Sequence, residues 1–213
     1  MSWKIPLVYP ILDASFLPAE GRVVYLERLG HSLADAGVGL LEYRNKTGTD
    51  AEVLGDALVL REAMQVGQVR LVLDDRVDVA LAAGFDGVHV DAGDLPPAVA
   101  RSLMGGQRLV GTSAGNEEQL MGALGSPVDY IAFGPVFPTT TKQTSATPIG
   151  IDGVRSFRAM TGAQATLVAA AGITLETAPL ILAAGADAVA VAAALFRSGN
   201  PAEEFGKWMG RLT

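Results

Sequence analysis

Apolar strand-like runs alternate with helix-like segments along the whole chain, and this alternation constrains the fold more than any other feature. The helix-like segments carry apolar residues at helical spacing, as in 22–37, 50–67 and 174–185. Successive strands separated by a helix pair in parallel, because a parallel connection needs a crossover of that length. The pattern therefore predicts eight strands alternating with eight helices. The strand candidates are 6–13, 39–46, 69–75, 87–91, 108–115, 130–137, 165–173 and 188–196.

A repeated sequence at the strand entries decides between a barrel and an open sheet. Four segments end a helix with small residues and then enter the second, fourth, sixth and eighth strand candidates: LADAGVGLLEY (33–43), LAAGFDGVHV (81–90), LGSPVDYIAF (124–133) and LAAGADAVAV (182–191). A unit of two strands and two helices used four times closes naturally into an eight-stranded barrel. We therefore predict an α/β fold of the TIM (β/α)8 barrel type with parallel strands, in a single domain over residues 1–213. A parallel open sheet is the alternative.

Composition excludes several classes of function. The formal net charge is -7, which disfavours binding to a phosphate lattice such as nucleic acid. The chain contains no cysteine, so it has neither disulfides nor a thiolate zinc site. Its first apolar run is too short for a secretion signal, and no window reaches the roughly 18 apolar residues of a membrane span. We expect a cytoplasmic protein that binds no membrane; a homo-oligomer remains open.

Polar residues cluster where the predicted strands end. In a barrel all these carboxyl ends meet at one rim, which is where barrel enzymes carry their active sites. The stretch FGPVFPTTTK (133–142) would extend the sixth strand into this shared mouth. The polar residues at the strand ends are Glu42, Arg44, Lys46, Asp74, Asp75, Asp91, Asp94, Ser113, Thr139, Thr140, Thr141 and Lys142.

Cations and carboxylates in one mouth indicate an oligophosphate that is bound with a divalent metal ion. Mg2+ prefers oxygen ligands and usually takes one or two carboxylates together with phosphate oxygens, so we assign Asp75 and Asp94 as its ligands. Arg44, Lys46 and Lys142 are suited to neutralise phosphoryl oxygens. Ser113, Thr139 and Thr141 are suited to donate hydrogen bonds to the same group.

The last two strands predict a second phosphate site. The segments 171–173 and 191–193, which include Gly172, Ala192 and Ala193, offer backbone N–H groups that a ligand can approach closely. Barrels commonly bind a monophosphate at this position.

Each of these residues also has a structural interpretation. Asp75 and Asp94 are each placed to cap the helix that follows, and Glu42 and Arg44 are placed to form an ion pair along one strand. A threonine run beside prolines is typical of a loop, and Gly172 is typical of a tight turn. We interpret His31 and His89 as structural, because neither has a sequence neighbour that suggests a catalytic or metal cluster. Arg22 is interpreted as solvated surface.

The quoted motifs, taken in order, resemble the thiamine phosphate synthase family. They are YRNK (43–46), LDDRVDVALAAGFDGVHV (73–90), GTSA (111–114), FGPVFPTTTK (133–142), AGI (171–173) and GADAVAV (185–191). The resemblance covers about residues 39 to 196. It implies a TIM barrel that joins hydroxymethylpyrimidine diphosphate to hydroxyethylthiazole phosphate with release of pyrophosphate.

The resemblance also implies roles for individual residues. Arg44, Lys46, Ser113 and Lys142 match the catalytic groups around the diphosphate, and Asp75 and Asp94 match the Mg2+ ligands. The match for substrate binding adds Glu42, Asp74, Thr139, Thr141, Gly172, Ala192 and Ala193.

The chain departs from the family at several of these positions. The family usually has glutamine at Glu42, asparagine at Asp74, Gly-Gln at 91–92, histidine at Gly115 and serine at Ala193. Three departures add negative charge near a site for a polyanion. Two alternatives therefore stay open. One is a TenI-type thiazole tautomerase, disfavoured by Gly115, and the other is a non-catalytic binder of thiamine precursors or phosphates.

Overall fold

The computed structural model describes residues 4–91, 93–139 and 146–213, and it contains a closed barrel of eight parallel strands. The strands pair in sequence order, and the eighth strand pairs with the first. The strands are β1 Val8–Asp13, β2 Leu40–Arg44, β3 Arg70–Asp74, β4 Gly87–Val90, β5 Leu109–Ala114, β6 Tyr130–Phe133, β7 Leu167–Ala170 and β8 Ala188–Val191. The predicted fold class is confirmed.

Helices follow the strands and cover the outside of the barrel. A 3-10 turn, Ala14–Phe16, follows β1. The helices in the described part of the chain are α1 Arg22–Asp35, α2 Asp50–Met64, α3 Val77–Ala82, α4 Pro97–Met104, α5 Glu117–Leu124, α6 Gly150–Thr161, α7 Ala178–Ala183, α8 Ala193–Phe196 and α9 Pro201–Leu212. Within this part of the chain, no helix is both long and apolar enough to cross a membrane.

The last predicted strand is wrong over its carboxyl half. The apolar run 188–196 was predicted as one strand, but β8 ends at Val191 and α8 begins at Ala193. Alanine has a high helix propensity, so the chain turns helical where hydrogen bonds to neighbouring strands no longer keep it extended. A ninth helix, α9, was not predicted; Asn200 caps its first turn, and Phe205 and Trp208 are buried.

Alternation along each strand separates two apolar layers. On β2, Leu41 and Tyr43 belong to the layer under the helices, whereas Leu40 belongs to the small cluster inside the barrel. Successive strand residues point to opposite faces, so Glu42 and Arg44 face inward with Leu40. The same rule places Asp74 on β3 and Ser113 on β5 inside the barrel mouth.

Tyr130 fills much of the barrel interior, and a glycine on the neighbouring strand makes room for it. A Cβ added to Gly111 would lie 2.1 Å from the ring carbon Cζ of Tyr130. Tyr9 reaches in from β1 and contacts the Tyr130 ring edge-on, with ring centroids 5.6 Å apart. The two tyrosines are each 1% exposed and close the barrel below its mouth.

Three of the four sequence repeats carry the same brace at the amino ends of the strands. In each, the aspartate that precedes an even-numbered strand accepts a hydrogen bond from a backbone N–H of the preceding strand. The same aspartate forms an ion pair with an arginine of an even-numbered helix. Asp187 accepts from Leu167 N at 2.7 Å and from Arg158, and Asp129 accepts from Val110 N at 2.7 Å and from Arg101. We call the set of Arg61–Asp86, Arg101–Asp129 and Arg158–Asp187 the Arg–Asp braces.

The braces also satisfy loop carbonyls. Arg101 donates to Pro127 O, Gly105 O and Arg108 O, and Arg158 donates to Gly185 O, Gly162 O and Ala165 O. Arg101 and Arg158 each bind the carbonyls four and seven residues further along the chain. The sequence repeat is therefore also a structural repeat. The first repeat has Gly39 where the other three have the aspartate. Gly39 packs closely against Pro6.

We expect Arg158→Met to lower the free energy of unfolding by about 2 kcal/mol, because it removes three carbonyl contacts and the partner of Asp187. Arg155→Met is the matched control on the same helix: among the described residues Arg155 pairs with the largely exposed Asp152, so we expect a change within about 0.5 kcal/mol. Urea unfolding measures both. Equal effects would contradict a structural role for the braces.

Candidate active site

The carboxyl ends of the strands surround a cavity of about 390 Å3. All eight strands or the loops that follow them contribute to its wall. The residues around it are Tyr9, Ile11, Asp13, Glu42, Arg44, Asp74, His89, Asp91, Ser113, Ala132, Pro138, Thr139, Ala170, Ala171, Gly172, Ile173, Thr174, Ala190, Val191, Ala192, Ala193 and Ala194. Of the predicted strand-end residues, this wall contains Glu42, Arg44, Asp74, Asp91, Ser113 and Thr139, whereas Lys46, Asp75 and Asp94 are not part of it.

The cavity has two chemically different walls. The side formed by β1 to β5 is charged and polar, with Arg44 and several carboxylates. The side formed by β6 to β8 is lined mainly by small apolar residues, with Ala132, Ala170 and Ala190 inside the barrel. One wall is suited to a charged group and the other to an apolar ring.

Arg44 and Lys46 are held by carboxylates at the polar wall. Arg44 forms an ion pair with Asp13, and its Nε lies 3.4 Å from Asp74 Oδ2. Lys46 Nζ lies 2.9 Å from Asp74 Oδ2 and also pairs with Asp75. Burial alone would lower the pKa of Lys46, but these carboxylates raise it above its ordinary value. Both side chains are therefore cationic and positioned at the mouth.

Three carboxylates lie close enough together to hold a cation. One oxygen each from Asp74, Asp75 and Asp91 lies within 4.8 Å of the others. Asp75 Oδ1 is buried and accepts no hydrogen bond from the described residues. An acceptor oxygen of this kind fits a hard divalent cation.

Asp94 lies next to this group. Its Oδ2 accepts the backbone N–H of Asp91 at 2.9 Å. Burial and a hydrogen bond with the Asp75 carboxyl raise the pKa of Asp94 to about 6. Asp75 and Asp94, assigned to one metal ion from the sequence, are thus neighbours.

The capping interpretation of these two aspartates is wrong. The N-cap of α3 is Arg76 and that of α4 is Pro96, and within the described residues neither helix has a side-chain cap. Asp75 instead has a left-handed backbone, with φ of 64°, and its N–H donates to His89 O at 2.7 Å. This bond ties the end of β3 to that of β4 and holds the carboxylate beside the mouth.

His89 was interpreted as lacking a partner, and that argument is wrong. His89 is buried in the cavity wall: its Nε2 lies 2.9 Å from Ser113 Oγ and 3.6 Å from Asp91 Oδ1. Burial alone would lower the pKa of His89, but Asp91 and Glu42 raise it above its ordinary value. The alternation of β4 carries the missed signal, because His89 and Asp91 are two residues apart and share a face.

Glu42 lies at the floor of the cavity and is only 3% exposed. Its Oε2 accepts the hydroxyl of Tyr9 at 2.6 Å. Burial raises the pKa of Glu42 to about 7. Tyr9 and Tyr130 were not identified from the sequence, since a buried tyrosine is usually part of the core.

The segments that the sequence suggests for a second phosphate line the apolar wall. Ala171 and Gly172 both have φ of 71°, and a Cβ on Gly172 would lie 2.6 Å from the backbone C and O of Phe137. The close approach explains the glycine and places the loop after β6 against the end of β7. Ala192 and Ala193 follow β8 on the same wall.

The threonine segment is described only in part. Thr139 lines the cavity. Thr140, Thr141 and Lys142 lie outside the described residues.

Arg22 is also not the solvated side chain that was expected. It donates to both carboxylate oxygens of the buried Asp56, at 2.5 to 3.0 Å, and to the Tyr43 hydroxyl at 3.2 Å. Asn45, next to Arg44, donates to the same hydroxyl at 3.1 Å. This cluster fixes the outer side of β2 and the start of the loop that carries Lys46.

Comparisons with known proteins agree on one family. Residues 9–195 match the family model for thiamine monophosphate synthase. The chain is 43% identical to thiamine-phosphate synthase from Koribacter versatilis over 90% of each chain. It is 41% identical to the protein of that name from Chloroflexus aurantiacus, covering 92% of this chain and 86% of the relative.

Solved structures extend the likeness to the fold. Thiamine phosphate pyrophosphorylase from Pyrococcus furiosus superposes with a TM-score of 0.82 at 26% identity, covering 96% of this chain and 94% of that chain. A geranylgeranylglyceryl phosphate synthase from Thermoplasma acidophilum, at 13% identity and a TM-score of 0.69, shares the fold alone.

We expect Glu42→Gln to stabilise the protein at pH 8 but hardly at pH 4.5. The pKa of Glu42 is about 7 in the folded protein, whereas its ordinary value, which applies to the unfolded chain, is 4.5. The contribution of Glu42 to stability is therefore complete below pH 4.5 and is lost as the pH rises through 7. The neutral glutamine avoids this loss, which reaches about 3 kcal/mol. Urea unfolding at both pH values measures it, with the exposed Glu62→Gln as control. The same difference at both pH values would contradict the assignment.

Proposed function

The chain belongs to the thiamine monophosphate synthase family, a family of transferases, and we propose that its cavity joins hydroxymethylpyrimidine diphosphate to hydroxyethylthiazole phosphate with release of pyrophosphate. The observation that carries this proposal is the division of one cavity into a charged wall and a small apolar wall. Two phosphorylated ring substrates, one with a diphosphate leaving group, need both surfaces at once. The alternative of a thiazole tautomerase has no such observation in its favour.

Arg44 and Lys46 are suited to bind the leaving diphosphate. Both cations are paired with Asp13, Asp74 or Asp75, so a diphosphate has to compete with these carboxylates for them. Charge stabilisation of the leaving group lowers the barrier for its departure from the pyrimidine methylene carbon. We assign Lys142 and the threonines Thr139 and Thr141 to the same diphosphate from the sequence.

Mg2+ bound by Asp75 and Asp94, with Asp74 and Asp91 beside them, would neutralise diphosphate oxygens. The donor set fits this ion, because all its atoms are carboxylate oxygens and one of them is buried without a hydrogen bond from the described residues. The same ion would offset the negative charge that Asp74 and Asp91 bring to the mouth.

The apolar wall is suited to hold the thiazole phosphate. Ala132, Ala170 and Ala190 leave room for a ring, and backbone N–H groups near Gly172, Ala192 and Ala193 are suited to the monophosphate. Once the leaving group departs, the electron-rich pyrimidine stabilises the positive charge that remains, and the thiazole nitrogen attacks the methylene carbon. The site therefore contributes positioning and charge stabilisation more than strong base catalysis.

The direct test is an assay of the purified protein with both precursors, with and without Mg2+. We expect formation of thiamine phosphate and release of pyrophosphate that depend on both precursors and on Mg2+. A calorimetric titration with each precursor accompanies the assay. Binding of the precursors without turnover would replace the synthase with a non-catalytic binder.

We expect Asp75→Asn to reduce Mg2+-dependent pyrophosphate release by about 100-fold or more, because it removes one metal ligand and the partner of Lys46. Asp78→Asn is the matched control three residues away: Asp78 is exposed and pairs with Arg76. Circular dichroism confirms that both variants fold. Normal release by Asp75→Asn would remove this residue from the metal site.

A further inference from the structure

Asp13 is the last residue of β1, and its carboxylate connects two parts of the cavity mouth. The residue is 7% exposed and lines the cavity. Its Oδ1 accepts the backbone N–H of Ser15 at 2.9 Å and so caps the 3-10 turn Ala14–Phe16. Its Oδ2 accepts a hydrogen bond from Arg44 Nη1. One carboxylate therefore fixes an arginine of the polar wall to the turn that follows β1.

The strand register and the charge of Asp13 both support this contact. Asp13 and Arg44 are paired positions on neighbouring strands, so their side chains enter the mouth side by side. Burial alone would raise the pKa of Asp13, but hydrogen bonds from Ser15 and Arg44 lower it below its ordinary value. The carboxylate is therefore ionised at neutral pH, and its hydrogen bond with the guanidinium group is assisted by charge.

The contact with Asp13 uses only one end of the guanidinium group of Arg44. Arginine presents its N–H donors in a rigid planar fork. Nη1 is bound to Asp13 and Nε lies 3.4 Å from Asp74 Oδ2, whereas Nη2 forms no hydrogen bond with any described residue. Because the group is planar, fixing Nη1 also fixes the direction of Nη2. Arg44 lines the cavity, so Asp13 orients donors that remain for an anion there.

Asp74, the second carboxylate beside Arg44, has other partners. Its Oδ2 lies 2.9 Å from Lys46 Nζ, and Asp74 belongs to the group of three carboxylates that are close enough to hold a cation. A divalent cation bound there would compete for the same carboxylate. Asp13 lies outside that group, and the cation that it contacts among the described residues is Arg44. Asp13 is therefore the carboxylate that can keep Arg44 in place while the aspartates hold a cation.

We propose that Asp13 is a positioning residue for the transfer reaction, and that it holds the guanidinium group of Arg44 in the orientation that stabilises the leaving diphosphate. This inference rests on the proposed function, which places the diphosphate at Arg44. In that reaction the bond between the methylene carbon and the diphosphate oxygen breaks, and its electron pair stays on the oxygen. A donor that is already oriented contributes most when this charge develops.

The charge of Asp13 has the opposite effect on binding of the substrate. A carboxylate at the mouth repels a diphosphate, so Asp13 by itself does not favour the bound ground state. Its benefit is the orientation of Arg44, and this benefit is largest in the transition state. The proposal therefore predicts that loss of this carboxylate affects turnover more than substrate affinity.

The first experiment measures kcat and KM of Asp13→Asn with both precursors and Mg2+. The amide oxygen still accepts the N–H of Ser15, but the amide NH2 group sets a donor against a donor of Arg44. We expect kcat to fall by about 10-fold or more. We expect the KM for the pyrimidine diphosphate to stay within about threefold, because loss of the repelling charge offsets loss of orientation. Asp35→Asn, an exposed change of the same type on α1, should leave both constants unchanged.

The second experiment separates positioning from a purely structural effect. In an Arg44→Ala background we expect Asp13→Asn to cause little further loss of kcat, because Asp13 acts through the arginine. We also expect added guanidinium ion, at a concentration far below that of unfolding, to restore part of the activity of Arg44→Ala, since Asp13 is still present to bind it. The double variant Asp13→Asn/Arg44→Ala should show no such recovery.

The outcomes separate this inference from the proposed function. Circular dichroism and urea unfolding check that each variant folds; if Asp13→Asn does not, Asp13→Ser takes its place, because serine keeps an oxygen that caps the turn. A folded variant with wild-type kcat, or an effect that simply adds to that of Arg44→Ala, would overturn the inference alone. Wild-type protein that forms no thiamine phosphate from the two precursors would overturn the proposed function.

Discussion

Closure of eight parallel strands is the constraint on which the rest of the structure depends. Parallel pairing in sequence order sends every carboxyl end to one rim, and alternation then decides which residues enter the interior. The register places Asp13 beside Arg44 and Asp74 beside His89 on neighbouring strands. Residues far apart in the chain thus become adjacent charges, and the ion pairs of the mouth follow from this register.

The two ends of the barrel have different roles: the amino ends carry stabilising contacts and the carboxyl ends carry the candidate site. At the amino ends, the Arg–Asp braces satisfy backbone groups and repeat from one quarter of the barrel to the next. At the carboxyl ends, carboxylates crowd around Arg44 and Lys46, and Glu42 is buried with a raised pKa. An ionised Glu42 lowers the stability of the fold, and this arrangement is expected where a polar group is retained for binding.

The excess of acid at the mouth would give a bound metal ion a second role. Asp13, Asp74 and Asp75 form ion pairs with Arg44 and Lys46 at the mouth. A diphosphate brings further negative charge to the same place. A divalent cation at the aspartates would offset both sets of negative charge. In the proposed function, Asp74 and Asp91 would therefore make binding of the diphosphate more dependent on the metal.

The sequence by itself determined the class of fold, and it predicted the rim of the candidate site and most of the charged residues there. Alternating strands and helices require parallel pairing, and the repeated strand entries favour a closed barrel over an open sheet. Glu42, Arg44, Asp74 and Ser113 then follow from their places at strand ends. These inferences succeed because they need only local periodicity and one rule of topology. The end of β8 was misplaced, since an alanine run suits both a strand and a helix.

Only the tertiary structure decided which side chains touch. Tyr9, His89 and Tyr130 lie on three different strands, and the sequence contains no sign that their polar atoms meet. The contact depends on register across the closed barrel and on Gly111, whose missing Cβ admits the Tyr130 ring. The partners of Arg22 and the neighbours of Asp75 were decided in the same way, because such contacts join residues that no local pattern relates.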